Sequence, residues 1–263
     1  RTIDSVLSQT LRPVRWVVVD DGSTDASADI VRELGREHSW ITLLTPTEVR
    51  PAEIGARIAF LINRAVESID EKHEYLLKLD ADVEFAPDFC SGILNEFERD
   101  PRLGIASGHL REHGIPERIQ FQDHTRGATK FFRRTCWDDM GGLFLTTGWD
   151  TVCDIAARSK GWKTSTLEYY FDHLKTEGTR KGGHVLQHYW DGVYCGRVPY
   201  HPLYFTLRVV SHVLQKPVVL GSIAELWGYF RTRFVRRERP FSSELTAFYR
   251  KVQMQRIAQI MRG

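Results

Sequence analysis

Arg15-Trp16-Val17-Val18-Val19-Asp20-Asp21-Gly22-Ser23-Thr24-Asp25 is the stretch on which the reading of the fold turns. An apolar, β-branched run that halts abruptly in Gly, Ser, Thr and Asp is the pattern of a buried strand ending in a polar turn. Ser23 or Thr24 stands where a side chain caps a following helix, expected near residues 25–37. The same unit recurs in Trp40-Ile41-Thr42-Leu43-Leu44, followed by a loop through Pro46 and Pro51 and a helix near residues 53–69. A third strand, Tyr75-Leu76-Leu77-Lys78-Leu79, ends at Asp80-Ala81-Asp82. Strands alternating with helices predict an α/β fold with a mainly parallel sheet and helices on both faces. Ligands of such sheets bind outside the carboxyl ends of the strands, which is where both acidic clusters fall.

Further along, the spacing predicts a helix near 87–99, strands over 104–110 and 128–133, a helix from Arg134, a helix over Thr151–Lys160 and a strand over Lys163–Tyr170. The pattern then changes. Residues 174–198 are rich in Gly, His, Lys and Arg without periodicity, which predicts a mobile loop and a short helix. Residues 203–214, 218–235 and 242–261 read as three amphipathic helices. The expected division is an α/β domain over 1–198 and a basic amphipathic helical extension over 199–263.

The 263 residues, 42% of them hydrophobic, are enough for one large α/β core. A net charge of +2 gives no case for nucleic-acid binding. The distribution is lopsided: residues 201–263 carry eleven Lys/Arg against three Asp/Glu, so the front of the chain is acidic and the back is basic. Cys90, Cys136, Cys153 and Cys195 form no CxxC pair, which favours free thiols and a cytosolic location over a disulfide framework. No run of about 18 apolar residues predicts a spanning helix. The chain opens without Met inside an amphipathic helix, Thr2-Ile3-Asp4-Ser5-Val6-Leu7, and a trimmed N-terminus is the expectation.

A carboxylate at a strand end is exposed while its backbone is held by the ladder behind it, so it can place a hard cation or a ligand hydroxyl accurately. Alternate residues of an extended segment point the same way, so Asp80 and Asp82 can face one site. Mg²⁺ or Mn²⁺ takes one or two carboxylates and completes its shell with water and substrate phosphates. For Asp20, Asp21 and Asp25 the competing reading is a helix-capping turn.

Ile3-Asp4-Ser5-Val6-Leu7-Ser8-Gln9-Thr10, Trp16 through Asp25, and Leu79-Asp80-Ala81-Asp82 occur in the order and approximate spacing of family 2 glycosyltransferases. Gly55 through Ala65 resembles that family's glycine-and-arginine helix start, and Gly141-Gly142 with Gly148-Trp149-Asp150 its acceptor-side segment. The resemblance covers roughly residues 1–175. It implies a GT-A type, Rossmann-like fold lacking its first strand, and an inverting, metal-dependent transfer of sugar from a nucleotide diphosphate, a UDP-sugar, to a hydroxyl of a glycan or lipid-linked acceptor. Carried over residue by residue, Asp21 accepts a hydrogen bond from the base, Asp20 lines the same pocket, Asp80 approaches the ribose or the metal's water shell, and Asp82 ligates Mn²⁺ or Mg²⁺. By the same resemblance Arg57 lies over the diphosphate, Asp150 is the general base, with Asp154, Asp138 and Asp139 as nearby rivals, and His173 sits near the metal and leaving phosphate. Lys175, Arg180 and Lys181 stand in a glycine-bearing loop, with closure over the phosphates as a lid and plain surface solvation as the two readings. Val83 occupies the usual fourth acidic position of the metal loop, with Glu84 beside it, and Trp149-Asp150 replaces the common Glu-Asp.

In residues 203–235 an aromatic and aliphatic face is followed by Arg231, Arg233, Arg236, Arg237 and Arg239, a combination suited to a helix in a membrane interface. The expected placement is peripheral, on the cytoplasmic face of the cell membrane; packing on the core or on a second subunit is the competing reading. Two other functions are consistent with the fold: a noncatalytic sugar-nucleotide-binding scaffold and a sugar-1-phosphate nucleotidyltransferase.

Overall fold

The structure is a computed structural model that describes residues 1–112, 114–119, 121–174, 183–213, 217–235 and 241–261. Lys175, Arg180, Lys181, Arg236, Arg237 and Arg239 lie outside the described residues. The chain divides into two compact units: Arg1–Leu145 with Trp149–Thr176, and Thr146–Gly148 with Glu177–Gly263.

The first unit runs α1 (Thr2–Leu7), β1 (Trp16–Val19), α2 (Ser27–Glu37), β2 (Ile41–Leu44), α3 (Ile54–Glu67), β3 (Tyr75–Leu79), β4 (Val83–Phe85), α4 (Phe89–Arg99), β5 (Leu103–Glu112), β6 (Ile115–Pro116), β7 (Thr129–Arg133), α5 (Arg134–Met140), α6 (Trp149–Ser159) and β8 (Lys163–His173). The decisive stretch is a strand followed by a helix, and β1 and β2 pair in parallel, Trp16 opposite Ile41 through Val19 opposite Leu44. No side chain of Ser23 or Thr24 caps α2. Ala26 is the N-cap residue, and Asp25 accepts from the Ser27 N–H at 3.0 Å.

The main sheet has the order β3-β7-β5-β8-β4, with β6 on β5. The α/β class holds, with helices around a mixed sheet, but the expectation of a mainly parallel arrangement does not. Among the described residues, apart from β1–β2, only β5–β8 is parallel; β3–β7, β7–β5, β5–β6 and β8–β4 are antiparallel. The apolar pattern of a strand fixes its burial and not its direction. Here β7 returns between β3 and β5, and the three-residue β4 doubles back after the acidic turn to pair with β8.

Period-two alternation sorts the core onto two faces. Ala106 of β5 and Phe131 of β7 join Val6, Phe89, Ile93 and Phe97, so α1 and α4 cover one side. Their neighbours Ile105 and Phe132 join Ala59, Trp137, Trp149 and Cys153, so α3, α5 and α6 cover the other. Buried glycines let the layers close: a Cβ on Gly108 would lie 2.5 Å from the Phe89 ring.

The second unit contains α7 (Gly183–Arg197), α8 (Pro202–His212), α9 (Leu220–Val235) and α10 (Ser243–Ile260). Helix α7 belongs here, so the units divide after residue 176 and not at 198. The reason is the backbone-to-backbone packing of α7 on α9: a Cβ on Gly192 would stand 1.9 Å from the Glu225 carbonyl oxygen, and one on Gly228 would stand 2.1 Å from the Tyr189 carbonyl oxygen. The buried residues of α9 (Gly221, Ser222, Glu225, Gly228, Tyr229) form one stripe. Leu220, Ile223, Trp227, Phe230 and Phe234 recur at helical spacing on the other side and are exposed, Trp227 at 64% and Phe234 at 78%. Among the described residues no helix is long and apolar enough to cross a membrane.

Candidate active site

The acidic turn Asp80-Ala81-Asp82 links β3 to β4 and is held from both sides. The Asp80 N–H donates to the Ala128 carbonyl at 2.9 Å. Thr2, at the start of α1, donates its hydroxyl to the Ala81 carbonyl at 2.9 Å, and the Leu174 N–H donates to the Asp82 carbonyl at 2.7 Å. Arg1 pairs with Glu84. The α1 segment is therefore a buttress: Gln9 donates to the Ala86 carbonyl at 2.8 Å and accepts from the Cys90 N–H at 3.0 Å.

Register brings His173 to the same rim, because it is the β8 partner of Val83, next to Asp82. The Asp82 carboxylate has no protein partner among the described residues, whereas Asp80 pairs with Lys78 of β3. The Lys78 side chain is 8% exposed, donates also to the Gly127 carbonyl at 2.8 Å, and lies 5.4 Å from the Trp149 ring centroid. The ligand atoms of Asp80, Asp82 and His173 do not all converge within 4.8 Å of one another. Two carboxylates and an imidazole are nonetheless a donor set suited to Mn²⁺ or Mg²⁺, and the Asp82 carboxylate, without a protein partner among the described residues, is the one open to such an ion.

Asp150, in the first turn of α6, reaches the other side of the same segment. A Cβ on Gly127 would lie 3.7 Å from its Oδ2, so Asp80 and Asp150 flank residues 127–128. Its carboxylate has no hydrogen bond or ion pair among the described residues and is half-buried. Asp154, one turn later, is 1% exposed and fully engaged. It accepts from the Thr125 N–H at 2.8 Å, the Thr125 hydroxyl at 2.6 Å and Lys130 Nζ at 2.8 Å. Burial alone would raise the Asp154 pKa, but Lys130 and then His124 hold it below the usual carboxylate value. Lys130 also donates to the Asp150 carbonyl at 2.7 Å, which anchors the start of α6 to β7. Asp138 pairs with Arg134, and Asp139 accepts from the Trp162 indole N–H at 2.8 Å.

The remaining predicted residues gather at the carboxyl end of β1. Asp21 pairs with Arg50 and, at 3.3 Å, with Arg57 Nε. Asp20 accepts from the Ser23 N–H at 2.8 Å, and hydrogen bonding to Ser23 lowers its pKa. Its carboxylate closes the Gly22 turn, where φ is +95°. Sequence reasoning missed Arg50, Lys78 and Lys130. A basic residue inside an apolar strand, with no basic neighbour, was the signal for the two lysines; an arginine in a loop gave none.

The mixed sheet, with helices on both faces and carboxylates at its strand ends, is an α/β fold of GT-A type, and solved structures share it. A mannosyltransferase from Pyrobaculum calidifontis, in complex with GDP-Man and Mn²⁺, aligns with TM-score 0.57 at 16% identity, over 97% of this chain and 80% of its own. GalNAc-T7 with UDP, GalNAc and Mn²⁺ aligns with TM-score 0.55 at 11% identity, over 88% and 51%. The profile described as glycosyl transferase family 2 matches residues 1–149, and the chain belongs to that family.

Among curated relatives, poly-beta-1,6-N-acetyl-D-glucosamine synthase of Staphylococcus epidermidis is 26% identical over 110 residues, 42% of this chain and 24% of that protein. Succinoglycan biosynthesis protein ExoA of Rhizobium meliloti is 29% identical over 97 residues, 34% of this chain and 27% of its own. An uncharacterized glycosyltransferase of Nostoc is 27% identical over 174 residues, 65% and 48%. The chain thus spans from about a quarter to about half the length of these relatives.

Proposed function

We propose that this chain transfers a sugar, with inversion, from a nucleotide diphosphate donor, a UDP-sugar, to a hydroxyl of a growing polysaccharide or a lipid-linked acceptor. The observation that carries the reading is the separation of two aspartates one helical turn apart: Asp154 is consumed by Lys130 and Thr125, whereas the Asp150 carboxylate is unpartnered at the rim that holds Asp80 and Asp82. A free carboxylate at the start of a buried helix is positioned to take the acceptor's proton. In this reading Asp21, Asp20, Arg50 and Arg57 form the nucleotide end of the site, and Arg57 shifts from Asp21 to the diphosphate when the donor arrives.

Asp82, His173 and Asp80 would hold Mn²⁺ or Mg²⁺, which supplies charge neutralisation for the departing diphosphate. The manganese complexes of two proteins of the same fold, and the polysaccharide-synthesis names of two relatives, support these assignments. The exposed aromatic row of α9, with Arg231 and Arg233, supports a peripheral membrane contact on the cytoplasmic face, where a lipid-linked acceptor would be presented. A groove of about 690 Å³ lined by Val185, Leu186, Tyr189, Ala224, Trp227 and Arg231 adjoins that row.

The test is calorimetric titration of UDP, with and without Mn²⁺, into the wild type and Asp82→Asn. Metal-dependent binding abolished by the substitution is the expected result. Binding of GDP in place of UDP would overturn the base assignment, and absence of any metal-dependent nucleotide binding would overturn the donor site.

A further inference from the structure

The second unit contains a ligand set that the sugar-transfer reading does not use. Helices α7, α8 and α9 each contribute one group to a single point: His188, His212 and Glu225, each of which offers a ligand atom within 4.8 Å of the other two. Glu225 is 0% exposed, a position a carboxylate occupies only when paired or ligating. Its Oε1 accepts from Arg208 Nε at 2.8 Å, and its Oε2 lies 2.8 Å from His212 Nδ1.

An ion-pair clasp of Arg208, His212 and Glu225 leaves one residue unexplained. His188 is 9% exposed, and its Nδ1 has no hydrogen-bond partner among the described residues. That nitrogen stands 3.8 Å from Glu225 Oε2, too far for a hydrogen bond. Its ring is pinned by Gly221, where an added Cβ would come within 2.6 Å of the imidazole, so it is aimed and not adrift. A tetrahedral ion with ligands at about 2.0–2.1 Å separates them by about 3.3 Å. The 2.8 and 3.8 Å separations observed straddle that value.

We propose that His188, His212 and Glu225 form a zinc site that ties α7, α8 and α9 together. Two imidazoles and a carboxylate are a borderline N₂O set that suits Zn²⁺ better than Mg²⁺ or Ca²⁺. Arg208 on the far carboxylate oxygen orients the ligating one, the usual task of an outer-shell partner. The ion supplies the partner that His188 lacks. The site is independent of the cation assigned to Asp82 and does not rest on the donor chemistry.

The test uses the whole chain, stripped with chelator and titrated with Zn²⁺ against a chromophoric competitor, then with Co²⁺ as a spectroscopic probe. The wild type and Asp82→Asn should each bind one Zn²⁺ tightly, show the visible absorption of four-coordinate Co²⁺ and melt at a higher temperature when loaded. Since losing an outer-shell partner typically weakens a site about 10–100-fold, His188→Gln and His212→Gln should each weaken zinc by more than about 100-fold. Circular dichroism establishes that each variant is folded; if one is not, the other and the wild-type cobalt spectrum decide. Zinc binding lost in Asp82→Asn, or unchanged in a folded His188→Gln, overturns the proposal, as does a wild type that binds no tight zinc. That last result would leave the three groups as a hydrogen-bonded clasp.

Discussion

Asp150 and Asp154 sit one turn apart on the same helix, and their environments predict opposite phenotypes. Asp154→Asn replaces a carboxylate that is 1% exposed by a neutral amide of the same shape and leaves Lys130, 0% exposed, with its charge uncompensated. Breaking a buried pair in this way typically costs about 3–5 kcal/mol, a large share of the roughly 5–15 kcal/mol that holds a domain together. The Thr125 contacts add to the loss, since the amide has one acceptor where the carboxylate has two. Asp150→Asn alters a half-buried side chain with no partner among the described residues, so its stability should stay within about 0.5 kcal/mol of wild type. Its sugar-transfer rate should instead fall about 10²–10⁴-fold, the usual contribution of a general base.

Urea unfolding followed by tryptophan fluorescence reads the first quantity and single-turnover transfer the second. In a double-mutant cycle, Lys130→Met should recover part of what Asp154→Asn loses. An Asp154→Asn protein as stable as wild type, or an Asp150→Asn protein that keeps more than a tenth of its activity, would refute the division of labour. The pH dependence carries a sign. The folded Asp154 carboxyl titrates below the ordinary value of about 3.9, so its stabilisation is complete above that pH and is lost as pH falls through the folded value. Acid titration should therefore destabilise the wild type below about pH 4 more steeply than Asp154→Asn.

Three further outcomes follow from the geometry. Gly192→Val puts side-chain atoms where the Glu225 carbonyl already stands, so it should separate α7 from α9 and cost at least about 1–3 kcal/mol, read as a lowered melting temperature. Burial pushes the thiols of Cys90, Cys153 and Cys195 up to about 12 and that of Cys136 higher still, so none should react rapidly with a disulfide reagent at pH 8 until the protein unfolds. Arg57→Ala removes a guanidinium whose charge-assisted bonds are typically each worth about 1.5–3 kcal/mol, so the donor KM should rise roughly tenfold or more, with the melting temperature little changed.

The sequence by itself determined the strand and helix alternation of the first unit, because burial on a sheet or helix face imposes a periodicity that local composition records. Helices α2, α3 and α4 fall within two residues of their expected limits at each end. It also determined that Asp20, Asp21, Asp80 and Asp82 stand at strand ends, since a polar turn must follow an apolar strand. The three-residue β4 was too short to leave a pattern, and strand direction leaves none, so the antiparallel insertion of β7 between β3 and β5, and the placement of β8 parallel to β5 and antiparallel to β4, were settled by tertiary pairing alone. Tertiary packing also separated Asp150 from Asp154: both are aspartates on one helix, and it is Lys130, arriving on β7 from 24 residues before Asp154, together with Thr125, that marks the second as structural. The convergence of His188, His212 and Glu225 is likewise a product of packing. The three residues are far apart in the chain, and they meet because glycines at 192 and 228 let two helices touch along their backbones.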